Sequence, residues 1–436
     1  MKKTKFKQTE IGIIPEDWEV RMIGDFLDVK HGFAFKGEFF SDNETDNILL
    51  TPGNFNIGGG FKKYKLKYTT EEPPKDYILE KGDIIVTMTD LSKKGDTLGY
   101  SAKIPQTKNK KYLHNQRIGL VKFKSDDVYS DFIYWVFRTK KYNLFVVGSA
   151  TGSTVKHTSP NRIKLFEFGV PSSIEEQSAI AKILSDLDSK IELNQQMNKT
   201  LEAIGQAIFN HWFINFEFPN EKGKPYKSEG GEMVDSELGK IPKGWNVKSI
   251  DEIAEFLNGL ALQKYPAEND NDYLPVIKIR ELKQGLTESS DKASTNIPEK
   301  YIIEDGDILF SWSGSLEVVI WASGKGALNQ HLFKVSSENY PKWFYYQWTL
   351  HYLPEYKLIA EGKATTMGHI QRHHLKDSLV LIPDKRTLAQ MDKLLSPLIN
   401  KIIALKVEMI NLSQIRDSLL PKLMSGKIRV PIEVRI

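Results

Sequence analysis

The sequence of 436 residues contains no cysteine. Without thiols there can be no disulfide, no thiolate zinc or iron–sulfur site and no cysteine nucleophile, and this composition is typical of a reducing compartment. The chain also lacks an apolar run of the roughly 18 to 20 residues that a membrane span needs, and its basic first residues, 1–8, are not expected to be a signal peptide. These absences predict a cytoplasmic protein with no membrane partner.

A large excess of one charge is absent as well. The 60 Lys+Arg stand against 56 Asp+Glu, a formal net charge of +4, so any binding of nucleic acid must be local. The charge is unevenly distributed, because residues 1–173 carry 28 Lys+Arg and 21 Asp+Glu, net +7, whereas residues 236–384 carry 16 and 20, net −4. Binding of DNA by the first segment should therefore depend more strongly on salt.

Recognisable catalytic motifs are missing too. The closest match to the adenine-methylase tetrapeptide, residues 72–75, lacks both of its end residues, and Gly324-Lys325 lacks the upstream glycine of a phosphate-binding loop. Asp83 and Asp307 follow glycines at equivalent places and are predicted to cap turns into strands rather than to bind a metal. We therefore expect no catalytic residue, no metal site and no cofactor in this chain.

An internal repeat is the strongest positive feature. Residues 9–20 return as 236–247 with Gly, Pro and Trp in register. Further matches follow in the same order: 80–85 with 304–309, 115–116 with 329–330, 153–157 with 365–369, and 170–171 with 382–383. Because order is kept while the offset falls from 227 to 212, the chain holds two copies of one domain whose loops differ in length.

Within each copy, short apolar strands and a few helices predict an α+β domain. The predicted strands are 48–51, 83–88, 118–123 and 165–170 in the first copy, and 274–279, 307–312 and 379–382 in the second. The predicted helices are 130–139 and 341–353.

After each copy, the spacing of the apolar residues changes to that of a helix, and two rows of apolar residues each repeat every seven positions. This pattern predicts two long helices that pair with each other through a coiled-coil seam of Ile180, Leu184, Leu187, Ile191, Leu201 and Ile208 on the first, and Leu398, Ile402, Leu405, Met409, Leu412 and Leu419 on the second. Asn194 and Asn198 interrupt the first row, either as a solvated stretch or as a polar layer that fixes register. Pro397 marks a point where the second helix begins or kinks.

Several motifs together resemble the specificity subunit of type I restriction–modification systems. They are Glu-Leu-Gly-Lys-Ile-Pro-Lys-Gly-Trp at 237–245, the segments 212–219 and 225–231, and Glu176-Gln177 at the start of a long helix. The resemblance covers nearly the whole chain, and it departs from the family in the second helix, where residues 388–390 replace a second Glu-Gln and Pro397 lies inside the helix. It implies two tandem target-recognition domains, each reading half of a split DNA target, separated by two long helices that pair as an antiparallel coiled coil with pseudo-two-fold symmetry.

On this resemblance the chain is expected to divide into recognition domain 1 (1–173), a central long helix (174–215), a linker (216–235), recognition domain 2 (236–384), a second helical region (385–426) and a tail (427–436). The implied partners are double-stranded DNA, two methyltransferase subunits and, through them, restriction/translocase subunits. S-adenosylmethionine is expected in the methyltransferase and not in this chain. The alternatives are the specificity subunit of a related multisubunit methylase–nuclease, or a coiled-coil scaffold that binds only proteins.

Two groups of residues are candidates for contacting DNA. The basic group comprises Lys63, Lys65 and Lys67, predicted on one face of a strand, and Lys108, Lys110 and Lys111; alternatively, these are solvated surface residues. The loop group comprises Ser153, Thr154, Lys156 and His157, with Lys363, Thr365, Thr366, His369 and Arg372; alternatively, the hydroxyls cap the next helix. Gln116 and Gln330 are assigned a structural role, because a residue shared by both copies cannot explain the reading of two different half-sites.

Overall fold

A computed structural model describes residues 4–92, 94–152, 154–362 and 368–431. The chain divides into two compact units, with boundaries after Ser189 and after Leu412. Unit 1 holds the described residues before the first boundary and after the second, and unit 2 is Lys190–Leu412. Each unit therefore contains one copy of the repeated domain together with a segment of each long helix.

Unit 1 is built on two main sheets. The central sheet is antiparallel, with strands in the order Ser101–Lys103, Ile84–Thr87, Ile118–Phe123, Leu27–His31. The second sheet has the order Phe40–Ser41, Lys67–Thr69, Asn47–Leu49, Lys111–Leu113, Ile78–Leu79, and its third and fourth strands are parallel. Three two-stranded pairs complete the unit: Phe6–Thr9 with Gly12–Pro15, Trp18–Met22 with Glu167–Pro171, and Thr89–Asp90 with Lys156–His157.

Unit 2 repeats this arrangement. Its central sheet has the order Val318–Ile320, Ile308–Ser311, Leu332–Ser336, Glu255–Asn258, and its second sheet Lys292–Ala293, Leu274–Ile277, Gly326–Leu328, Ile302–Ile303. The single parallel pair of the second sheet lies at the same place as in unit 1. The pairs Met233–Ser236 with Gly239–Pro242 and Asn246–Ser249 with Leu379–Ile382 match two of those in unit 1. The predicted tandem α+β repeat is therefore confirmed.

Short helices connect these strands, and two long helices follow the copies. The short helices are Ile23–Phe26, Ser130–Val136, Lys140–Gly148 and Pro160–Lys164 in unit 1, and Ile250–Ile253, Ile279–Gln284, Lys342–Glu361 and Arg372–Asp377 in unit 2. The long helices are Ile174–Phe209, continued by a π-helical turn over Asn210–Ile214, and Lys385–Met424.

The second long helix runs through Pro397 without a break, so the prediction that it begins there is wrong. Proline removes one backbone hydrogen bond and disfavours a helix interior. Here Leu395, Ile399 and Ile402 on either side of Pro397 are buried in the core of unit 2. This apolar burial offsets the cost of the proline and keeps the helix continuous.

The repeated Gly-x-x-Pro-x-x-Trp motif has a structural role. Its glycine adopts a left-handed φ at the hairpin turn, +111° at Gly12 and +83° at Gly239, a conformation that disfavours other residues. Its tryptophan is buried in each unit, and Trp245 stacks on Phe218 with ring centroids 4.9 Å apart. In unit 1, Gly426, just after the end of the second long helix, lies against Trp18 instead.

The two long helices lie side by side and antiparallel within each unit. In unit 2, Lys190 pairs with Glu408 at 3.5 Å, and a Cβ placed on Gly205 would lie 3.4 Å from Leu398 Cδ2. In unit 1, Asp188 pairs with Arg416 at 2.5 Å. Every predicted seam residue is buried or half-buried, whereas knobs-into-holes packing remains a prediction. Asn194 and Asn198 are 0% and 5% exposed, so the solvated alternative for these two residues is wrong.

Candidate nucleic-acid interface

One structural junction recurs in both units and involves the matched histidines. In unit 1 the strand pair Thr89–Asp90 and Lys156–His157 sets Thr89 opposite His157, and Thr89 Oγ1 lies 3.1 Å from His157 Nδ1. In unit 2 Ser313 forms the equivalent antiparallel bridge with His369. Thr89 and Ser313 each come two residues after the end of a central strand, Ile84–Thr87 and Ile308–Ser311 respectively. We call this place the strand–loop junction.

The unit 1 junction is fixed from within by a buried carboxylate. Asp90 is 4% exposed and accepts hydrogen bonds from the Ser92 amide at 2.6 Å and from the Thr97 amide and hydroxyl at 2.5 and 2.8 Å. Burial alone would raise the pKa of Asp90, but these hydrogen bonds outweigh it and lower the pKa. The ionised carboxylate thereby holds the loop that follows the junction in one conformation.

The unit 2 junction is aromatic instead. Trp312 stands beside His331 and His369, with ring centroids 5.8 and 6.4 Å away, and its indole nitrogen donates to Asn258 Oδ1 at 2.9 Å. Ser313 Oγ lies 3.0 Å from His331 Nδ1. The two units thus share the backbone arrangement at this place and differ in the side chains that they present.

Some of the predicted loop residues are brought together at these junctions. His157 and Thr154 are exposed and Lys156 is half-buried beside Asp90, while His369 is half-buried beside Trp312. Ser153, Lys363, Thr365 and Thr366 lie outside the described residues.

Arg372 is placed differently from the loop residues. It starts the helix Arg372–Asp377, donates to the Phe256 carbonyl at 3.2 Å and lies over the Phe333 ring at 5.7 Å. The crevice beside it is lined by four carboxylates, those of Asp251, Glu252, Glu255 and Glu338. These acidic neighbours repel phosphate, and a DNA contact by Arg372 remains a prediction.

The basic residues of unit 1 differ from their predicted conformation. The predicted strand through Lys63, Lys65 and Lys67 is wrong, because only Lys67 lies in a strand and Lys65 has a left-handed φ of +56°. The cause is the turn between Phe61 and Lys67, which breaks the alternation. All three lysines are nevertheless exposed.

The second basic cluster is partly neutralised. Lys110 pairs with Glu44, and Lys111 lies 4.0 Å from Glu72. Lys108 is exposed at the tip of the preceding turn. A role in phosphate contact remains a prediction for each of these lysines.

Several residues at the interface carried no sequence signal. Asp90, Asn143 and Trp312 fall between the repeat matches, and the composition of residues 90–99 indicates only a loop. The carboxylates of Asp83 and Asp307 accept hydrogen bonds from the backbone amides of Glu80 and Glu304, both at 2.9 Å. The turn-capping role that the sequence predicts for these aspartates is therefore confirmed.

Among the described residues, no group of three His, Cys, Asp or Glu side chains could hold a metal ion. The helices in the described part of the chain are all too short or too polar to cross a bilayer.

Comparison with known proteins gives consistent matches over nearly the whole chain. A family model described as the type I restriction modification DNA specificity domain matches residues 15–203 and 242–412. The MjaIX specificity subunit of Methanocaldococcus jannaschii, a type I restriction enzyme subunit, is 29% identical over 442 residues, which cover 98% of this chain and 97% of the relative. The HindI specificity subunit of Haemophilus influenzae is 22% identical over 377 residues, covering 73% and 81%.

A solved structure shares the fold. The S subunit of a type I restriction–modification system from M. genitalium superposes with a TM-score of 0.54 at 17% identity, covering 97% of this chain and 98% of that chain.

Proposed function

The chain belongs to the type I restriction modification DNA specificity family, and from this premise we propose that it is the non-catalytic subunit that selects a two-part DNA target. Each unit would read one half-site. The observation that carries this proposal is the strand–loop junction, which has the same backbone pairing in both units and different side chains. A shared framework with different side chains is what the reading of two unlike half-sites requires.

The long helices are proposed to bind methyltransferase subunits. Two units of the same topology offer the same kind of helical surface twice, which supports two methyltransferase subunits for each chain, with restriction subunits reached through them. The methyltransferase would supply S-adenosylmethionine and the catalytic residues. A protein that works in this way on chromosomal DNA is expected in the cytoplasm.

Reconstitution with purified components tests the proposed function. The chain and its methyltransferase subunit are assayed separately and together for methyl transfer to genomic DNA, and the modified sites are sequenced. We expect methylation at a two-part sequence only in the mixture. Methyl transfer by the chain alone, or the same motif with the methyltransferase alone, would contradict the proposal.

Phosphate contacts by the basic residues of unit 1 can be tested by salt titration. Each phosphate contact contributes about 0.9 to the slope of log affinity against log salt. Replacing Lys63, Lys65 and Lys67 with Gln should therefore lower the slope by roughly 2 to 3 if all three contact phosphates. The matched control replaces Lys124 and Lys164 of the same unit, which both pair with Asp28 and are not candidates for contacting DNA, so it should change the slope little. An unchanged slope in the triple variant would place these three lysines away from the backbone.

A further inference from the structure

The loop after the unit 1 junction has no counterpart of similar length in unit 2. Eleven residues separate Thr89 from the strand that begins at Ser101, whereas four separate Ser313 from the strand that begins at Val318. We call the described residues of this segment, 90–92 and 94–99, the insert loop. Because the two units otherwise share their topology, the insert loop is a place where their recognition surfaces must differ.

Buried polar side chains hold the insert loop in place. Asp90 binds it at both ends, through Ser92 and Thr97. The Asn143 side chain, which is 3% exposed, donates hydrogen bonds to the backbone carbonyls of Gly95 at 3.2 Å and Leu98 at 3.0 Å. A surface loop fixed by buried hydrogen-bonding groups is preorganised, so that little conformational entropy is lost when it binds.

The insert loop presents an exposed aliphatic side chain with a lysine on the same loop and another on the paired strand. Leu91 is 69% exposed although it directly follows the buried Asp90. Lys94 is exposed on the same loop, and Lys156 and His157 lie on the strand paired with Thr89–Asp90. A single exposed leucine is common and means nothing by itself. Here it sits on a fixed loop that has no counterpart of similar length in unit 2 and that presents Lys94, while the Asp90 carboxylate is buried and hydrogen-bonded within the loop.

We propose that Leu91 is a specificity-determining residue of unit 1, whose side chain contacts the C5-methyl group of a thymine in the first half-site while Lys94 and Lys156 bind the flanking phosphates. The inference rests on the proposed function. Thymine is the base that offers a methyl group in the major groove, and aliphatic side chains recognise it by apolar contact.

Replacing thymine by uracil removes that methyl group and tests the contact directly. The complex of the full chain with its methyltransferase is titrated with DNA in which each thymine of the first half-site is replaced in turn. Burial of one methyl group predicts a loss of affinity of about fourfold at one position. Leu91→Ala should lose at least this much on thymine DNA and should show no further loss on uracil DNA.

Leu358→Ala is the matched control, because Leu358 is also 69% exposed but belongs to unit 2. It should keep the full uracil effect in the first half-site. The inference is overturned if the wild-type complex is indifferent to uracil at every position, or if Leu91→Ala retains the full effect. Absence of any two-part target in the wild-type complex would instead overturn the proposed function.

Discussion

His114 is fully buried in unit 1, and its environment favours the neutral imidazole. Its Nε2 lies 2.9 Å from the Ile118 carbonyl oxygen, whereas Nδ1 has no hydrogen-bond partner. Burial lowers the pKa of His114 from 6.5 to about 4. Between these values the unfolded chain binds a proton that the folded chain does not, so the stability of unit 1 falls as the pH drops.

We predict that His114→Gln removes this part of the acid sensitivity. The free energy of unfolding of the wild type should fall by on the order of 3 kcal/mol more than that of the variant between pH 7 and pH 4, since one pKa unit corresponds to about 1.4 kcal/mol. Denaturant unfolding at several pH values measures the difference. His31→Gln, at an exposed site of the same unit, is the control. Identical pH profiles for wild type and His114→Gln would contradict the prediction.

The side-chain amides of Asn194 and Asn198 are buried, and neither polar atom of either amide has a hydrogen-bond partner. Such groups lower stability by about 1–3 kcal/mol each. Replacing both with Leu should therefore raise the free energy of unfolding by at least about 2 kcal/mol. Gln195→Leu with Lys199→Leu, at the same spacing on the exposed face, should change it little. A destabilised Asn194/Asn198 variant would indicate that these amides are satisfied by buried water.

At the scale of elements, ion pairs between side chains attach the tail of unit 1 to the start of the first long helix. Arg429 bonds both carboxylate oxygens of Glu176, at 2.6 and 2.9 Å, and those of Asp17, at 2.9 and 2.7 Å. Glu176 is 2% exposed, and Arg429 is the counter-charge that contacts its carboxylate. The arginine also lowers the pKa of Asp17.

Arg429→Ala should destabilise unit 1 by about 2–4 kcal/mol, because it leaves the buried Glu176 without a counter-charge. Glu176→Gln in the same chain should restore part of the loss, so that the double variant is less destabilised than the sum of the single ones. Thermal or denaturant unfolding of the four chains measures this double-mutant cycle in the free energy of unfolding. Lys427→Ala, at an exposed site, is the control. Additive effects would show that the ion pair does not hold the tail.

The two long helices are expected to set the distance between the half-sites. Asn198 and Leu405 lie in the same stretch of the helix pair, between the Lys190–Glu408 and Gly205–Leu398 contacts. Adding four residues after each of them should lengthen the pair by about 6 Å. The spacer should grow by about one or two base pairs, at 3.4 Å each, with both half-sites unchanged. The control adds residues to the first helix alone, which should destabilise the pair. An unchanged spacer in the doubly extended chain would show that the helices do not set it.

The sequence predicted elements better than it predicted surfaces. The strands Ile118–Phe123 and Leu379–Ile382 match their predicted bounds, because in each an apolar stretch begins directly after a polar residue. The predicted strand through Lys63, Lys65 and Lys67 is wrong because alternating residues can also occur in a turn. The second long helix continues past Pro397 because burial in the core outweighs the local preference of proline. The insert loop could not be predicted, since Asp90 and Asn143 act only once the fold has placed them together.

At the scale of the whole molecule, one framework occurs twice and its two interface regions have diverged. The sheet orders, the parallel strand pair and the strand–loop junction are shared, whereas the insert loop belongs to unit 1 and the aromatic junction around Trp312 to unit 2. From this distribution we predict that what a unit reads is determined by its own copy of the domain, and that the copies can be exchanged.

The most direct test of this account is a methylome of a domain exchange. Residues 27–164 are replaced by a second copy of the equivalent residues 254–376, and the parental and exchanged chains are each expressed with the methyltransferase in a host that lacks other modification. The parental chain should give two different half-sites, and the exchanged chain should give the second half-site at both positions, in inverted orientation. Retention of the parental motif by the exchanged chain would contradict the claim that each unit reads one half-site.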